Sequence, residues 1–143
     1  MSKKVLVSAC LLGQNCRYNG GNKFDFDLIE KLKDAHIIAF CPEENILGTP
    51  RETIDIIESR AIGNESGKDY TKQLQEQARS LQKKASSFDA IYLKSKSPSC
   101  ALCSARVYDK DKNLVTDKGE GIFAKELKKL YPKTKFYERE GRK

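Results

Sequence analysis

Five cysteines carry most of the chemical potential of this 143-residue chain: Cys10, Cys16, Cys41, Cys100 and Cys103. Only Cys100 and Cys103 stand close together, as C-x-x-C. The single histidine, His36, leaves no Ser–His–Asp arrangement to argue for. The N-terminus starts with Lys3 and Lys4, but the apolar run that follows is short and breaks into Gln14, Asn15 and Arg17. That is not a secretory signal, so a cytoplasmic protein is expected. In a reducing compartment clustered thiols bind metals or do chemistry rather than form a disulfide framework.

Thiolates hold zinc, hold iron–sulfur clusters or serve as redox groups. Structural zinc usually takes paired clips. Here Cys100/Cys103 is the only close pair, and His36 precedes its strand, which puts it at the far end from Cys41. Iron–sulfur clusters accept thiolates from scattered loops, commonly four. With only Cys10, Cys41 and Cys100 as ligands, a four-iron cluster would keep one iron open. An open metal position distinguishes a catalytic site from a closed one, and such an iron acts as a Lewis acid. Cys103 reads as a bystander. A thioredoxin-like reading of Cys100/Cys103 needs a helix right after the strand, and Arg106-Val107-Tyr108 reads as a strand instead.

The elements that must position these thiols follow from hydrophobic pattern. Lys4 to Ala9, His36 to Phe40 and Ala90 to Leu93 are short apolar runs bounded by turn residues, as buried strands are. Pro42 lacks an N–H and ends the second ladder. Phe26 to Leu32 has helical spacing with Asp25 or Asp27 as cap. Thr71 to Lys84 is the clearest helix, with Leu74, Ala78, Leu81 and Ala85 as its stripe. Gly121 to Tyr131 is a basic helix stopped by Pro132. Thr53–Ile57 with Ser59–Ile62, and Arg106–Asp109 with Asn113–Thr116, suggest two small hairpins. Thr134 to Tyr137 is a candidate last strand. Apolar strands alternating with helices predict a single α/β domain over 1–143, with a mostly parallel sheet and helices on both faces. Ligands in such sheets bind beyond the carboxyl ends of the strands. Cys10, Cys41 and Cys100 follow the ends of three different strands.

The formal charge is +7. From Lys125 onward eight basic residues face three acidic ones, with a basic tail from about 132. A basic tail binds nucleic acid by counterion release. A solvated helix face explains the same charge, and no ribonucleoprotein motif or helix-turn-helix supports a nucleic-acid partner. No apolar run is long enough to span a membrane.

The blocks "VSACLLGQNCRYNGGNK", "CPE" followed by "TPR", "LKSKSPSC" and "GEGIFAKEL", in this order, resemble the thiouracil desulfurase family. The resemblance runs from Val7 to about Leu127. It implies a Rossmann-like α/β fold carrying a [4Fe–4S] cluster on Cys10, Cys41 and Cys100. The implied reaction removes sulfur from a thiolated pyrimidine such as thiouracil, without net redox change. Glu43 of "CPE" resembles an acid/base carboxylate, and Ser97 or Ser99 a substrate-orienting hydroxyl.

Other polar residues keep two readings each. Cys16 is a fourth ligand, a sulfur shuttle or a packed loop thiol. Arg51 pairs with Glu43 or with substrate, or is a surface group. Arg17 and Lys94 offset a cluster's negative charge or simply face solvent. The competing overall reading is a cysteine-based redox or metal-binding protein without desulfurase activity.

Overall fold

A computed structural model describes residues 3–141. In chain order the first half contains β1 (Lys4–Ser8), a 3₁₀ turn (Ala9–Leu12), α1 (Phe26–Lys31), β2 (His36–Phe40), α2 (Pro42–Leu47), β3 (Ile54–Ile57) and β4 (Arg60–Gly63). The second half contains α3 (Thr71–Lys84), β5 (Ala90–Lys94), β6 (Ala105–Tyr108), β7 (Leu114–Gly119), α4 (Ile122–Leu130) and β8 (Lys135–Arg139).

The three apolar runs form one parallel sheet with β8, in the order β2-β1-β5-β8. Alternation along β1 divides its side chains between two cores. Val5 and Val7 pack with Leu28 and Leu32 of the α1 segment on one face. Leu6 packs on the other face with Ala78 and Leu81 of α3 and Phe123 and Leu127 of α4. Both faces of the sheet are therefore covered by helices, which explains why its strands read as continuous apolar runs.

Both expected hairpins are present, and their relation is new. β3 pairs with β6 in parallel, which joins β3–β4 and β6–β7 into a second four-stranded sheet, β4-β3-β6-β7. Ile54 and Ile56 bury there against Leu74 of α3 and Ile122 of α4. Two short elements escaped the sequence pattern. Pro42 does end β2, but it then opens α2 at the first helical turn, where its missing N–H costs nothing. The 3₁₀ turn after β1 closes on Gly13 at φ +90°, a left-handed conformation that suits glycine. Six and four residues are too few to show a helical period.

The basic C-terminal segment is more structured than a tail from about 132 suggests. Lys135–Arg139 is the edge strand β8, while Arg142 and Lys143 lie outside the described residues. Arg139 donates from Nε to Asp25 Oδ2 at 2.8 Å and from Nη2 to Oδ1 at 3.1 Å. Asp25 also caps α1, accepting from the Leu28 N–H at 3.0 Å. One buried carboxylate thus ties the edge strand to the first helix.

The Arg139 guanidinium, and then the Leu28 N–H, hold the Asp25 carboxyl below its usual range against the effect of burial. A depressed carboxyl contributes stability above its unfolded pKa of about 4, and that stability is lost as pH falls through the lower folded value. Asp25→Ala should therefore reduce unfolding free energy by about 2 kcal/mol at neutral pH. The difference from the unaltered protein should shrink below pH ~4, as read by denaturant titration at the two pH values.

Candidate functional site

Parallel register brings the carboxyl ends of β2, β1 and β5 side by side, with Ser8 opposite Phe40 and Val7 opposite Tyr92. The chain leaves β1 toward β2 on one side and later returns to β5 on the other. Strand order therefore reverses between β1 and β5, which opens a crevice above them. A cavity of about 320 Å³ lies there, the size of a small-molecule site. Cys10, Cys16, Cys41 and Cys100 all line it, with Glu43, Ser97, Arg51 and Lys94.

Each thiol is placed by local backbone chemistry. Cys10 sits in the 3₁₀ turn, and its carbonyl accepts from Lys23 at 2.9 Å, which folds the following loop back over the turn. That loop carries Cys16, which is 1% exposed. Cys41 precedes Pro42 at the start of α2. Cys100 ends a tight turn in which Ser97 Oγ accepts from the N–H groups of Ser99 and Cys100 at 3.1 and 3.0 Å. The start of α4 closes the turn, since Ile122 and Ala124 donate to the carbonyls of Pro98 and Ser99 at 3.0 and 2.9 Å. Gly121 lies against the Ser99 carbonyl so closely that a Cβ there would collide with it. This contact gives a physical role to the second glycine of "GEGIF".

The cavity disfavours charge on Cys16, Cys41 and Cys100. A hydrogen bond with Cys10 and burial push Cys16 up to about 11, against the bond with Cys41. The bond with Cys16, then burial, raises Cys41, while the Glu44 N–H and Arg51 pull it down. Burial raises Cys100 first, then the charge of Cys41, against hydrogen bonds from Ser8 and Ser97. All five cysteines are free. Thiols crowded in this way become thiolates when a cation displaces their protons. Lys94 is buried beside them, with Nζ donating to the Ser95 carbonyl at 2.9 Å. Burial lowers its pKa, and Cys10 opposes the shift.

Glu43 is buried, not a surface loop residue. Its Oε2 accepts from the Ser99 hydroxyl at 2.7 Å and its Oε1 from Arg51 Nε at 3.4 Å. Arg51 also donates through Nη1 to the Cys16 carbonyl at 2.8 Å and the Gly48 carbonyl at 3.1 Å. One guanidinium therefore fixes both the catalytic candidate and the Cys16 loop.

The two serines part company. Ser97 lines the cavity, whereas Ser99 is fully buried, outside the lining, with its hydroxyl given to Glu43. Cys103 is exposed and points away, its N–H and thiol turned to the Glu138 carboxylate. Sequence reading missed Ser8, Tyr18, Lys23, Lys96 and Glu140 in the lining. Ser8, a polar residue closing an apolar strand, was the one with a visible signal.

The donor set suits a sulfur-loving metal centre. Several thiols from separate segments face one cavity, and Arg17, Lys23 and Lys94 stand ready to balance residual negative charge. Four cysteines line this cavity, Cys10, Cys16, Cys41 and Cys100, and ligands for such a centre could be drawn from them.

Comparison with known proteins adds three findings. A family model described as 2-thiouracil desulfurase matches residues 5–139. YbbK of Bacillus subtilis (strain 168), an uncharacterized protein, is 32% identical over 138 residues, covering 87% of this chain and 89% of its own. A solved structure of the [4Fe-4S]-dependent thiouracil desulfidase TudS superposes with a TM-score of 0.74 at 30% identity, covering 96% of this chain and 91% of that one.

The Arg51 network generates a prediction. Arg51→Ala leaves the Glu43 carboxylate buried without its cation and should cost roughly 3–5 kcal/mol. Cys103→Ser should change stability by no more than about 0.5 kcal/mol. Denaturant unfolding of the metal-free chain measures both.

Proposed function

The chain belongs to the 2-thiouracil desulfurase family, and from that premise we propose that it is a [4Fe–4S]-dependent enzyme that replaces the sulfur of a thiolated pyrimidine, such as thiouracil, with oxygen. The convergence of Cys10, Cys41 and Cys100 on one cavity, with the Glu43 carboxylate in the same wall, is the observation that carries this reading. These three cysteines would hold the cluster. Once bound, it supplies an iron with an open position, a Lewis acid for the substrate sulfur.

The chain's own residues account for the rest. Thiocarbonyl and carbonyl carbon have the same oxidation level, so water supplies the oxygen, sulfide departes with the protons, and no electron donor is needed. Glu43 faces the cavity as a carboxylate held on both oxygens by Ser99 and Arg51. It takes a proton from the attacking water and returns it to the leaving sulfur. Ser97 orients the substrate from the cavity wall, while Ser99 positions Glu43. Lys94, Arg17 and Lys23 offset negative charge, and the half-buried floor around Phe40 helps to exclude water.

The substrate is a small molecule in this reading. No helix among the described residues is long and apolar enough to cross a membrane. We place the reaction in the reducing cytoplasm, where free thiols persist. The redox reading has less support: Cys100 faces the cavity while Cys103 faces Glu138, so the C-x-x-C pair does not act as one unit.

Anaerobic purification tests the proposal. The protein should carry iron and acid-labile sulfide in equal amounts and show broad visible absorption. Cys10→Ser, Cys41→Ser and Cys100→Ser should each lose that absorption. Glu43→Gln should keep it while kcat for a thiopyrimidine falls by about 10²–10⁴. A protein that stays colourless after reconstitution, or a coloured one inert toward a panel of thiopyrimidines, overturns it.

A further inference from the structure

Glu44 is the acidic neighbour that the proposed reaction leaves without a task. It follows Glu43 on the first turn of α2, yet the two carboxylates diverge. Glu43 faces the cavity, Ser99 and Arg51; Glu44 does not line the cavity. One Glu44 carboxylate oxygen and the sulfur atoms of Cys16 and Cys41 all lie within 4.8 Å of one another. Among the described residues no lysine or arginine forms an ion pair with Glu44. Its charge instead bears on the Cys16 thiol, and its N–H donates to the Cys41 sulfur.

A half-buried carboxylate facing one buried and one half-buried thiol, with no ion pair of its own, is a donor set short of a cation. Two sulfurs and one oxygen define the class of guest. Thiolates select against magnesium and calcium, and favour borderline-soft ions. Zinc takes cysteine sulfur at about 2.3 Å and carboxylate oxygen at about 2.0–2.2 Å, in tetrahedral sites. Donors of such a site stand roughly 3.5–3.8 Å apart by that geometry. Closing from within 4.8 Å asks for at most roughly 1.3 Å of side-chain movement per pair. The fourth position falls to water.

We infer that the cluster-free chain has a mononuclear zinc-class site formed by Cys16, Cys41 and Glu44. The site shares Cys41 with the proposed cluster ligands, and a thiolate committed to a zinc-class ion is not free for a four-iron cluster. The cation therefore holds back cluster loading until it is removed. The backbone reinforces this coupling. Arg51 grips the Cys16 carbonyl, and the Cys41 thiol lies 3.7 Å from the same oxygen. The two sulfurs are thus held close before any metal arrives. The site itself stands on these three side chains alone, while its effect on loading rests on the cluster reading above.

Cobalt serves as the spectroscopic probe. The full chain, cluster-free and reduced under anaerobic conditions, is titrated with Co²⁺ and then competed with Zn²⁺. One ion per chain should bind, with sulfur-to-cobalt charge transfer and tetrahedral visible bands. Cys16→Ser and Glu44→Gln should each weaken binding on the order of 10-fold or more, whereas Cys100→Ser should leave it unchanged. Preloading with one equivalent of zinc should block reconstitution of the visible cluster absorption, and a chelator should restore it. Glu44→Gln should reconstitute without that block. If Glu44→Gln and Cys16→Ser bind as the unaltered chain does while Cys100→Ser does not, the ion sits on the cluster thiols alone and the inference is overturned. Absence of a cobalt spectrum also overturns it, as does normal reconstitution in the presence of bound zinc. A chain that binds cobalt as described yet never forms a cluster would sink the desulfurase reading and leave this site standing.

Discussion

Parallel pairing of β1 with β2 on one side and β5 on the other sets the position of everything chemical in the molecule. In a parallel sheet the carboxyl ends of neighbouring strands point the same way. Residues far apart in sequence therefore arrive at one edge without any contact of their own to bring them together. Cys10, Cys41 and Cys100 follow three such ends. Their convergence comes from the hydrogen-bond ladder and from the two apolar cores that bury both faces of the sheet. An antiparallel partner in either position would have sent one thiol to the opposite edge.

That edge is an awkward place for charge, and the surrounding structure is organised around the difficulty. Glu43 is buried because Ser99 and Arg51 satisfy both of its oxygens. Arg51 is tolerated because backbone carbonyls of Cys16 and Gly48 accept from its Nη1. No buried side-chain nitrogen or oxygen among the described residues lacks a partner. Cys16, Cys41 and Cys100 are the exception to this settled network, since burial and mutual contact oppose their ionised forms. A cation resolves that opposition, which is why the same pocket reads as a metal centre from electrostatics as well as from residue type.

The link between site and scaffold runs through short backbone segments. The "SPSC" turn is held from below by the first N–H groups of α4, so the helix that packs on the sheet also sets the height of Cys100. Glu138 on β8 accepts from the N–H groups of Leu102 and Cys103 at 2.8 and 3.1 Å, which secures the other end of the same loop. Cys103 is thereby kept outside the cavity although it stands only three residues from Cys100. Spacing in sequence suggested a pair; the edge strand separates them.

Local pattern along the chain was enough for the parallel sheet, for α1, α3 and α4, and for three cysteines just past its strand ends. Each of those rests on a local property: continuous apolar runs, a helical stripe, a proline that ends a ladder. Tertiary structure alone decided the rest. Pairing of β3 with β6 fused two hairpins into a second sheet, and hydrophobic pattern carries no instruction about which hairpins meet. The contacts that separate Glu43 from Glu44, and Ser97 from Ser99, were equally hidden. Neighbours of identical chemistry differ only in where the backbone aims them, and that aim is fixed by contacts with residues distant in the chain.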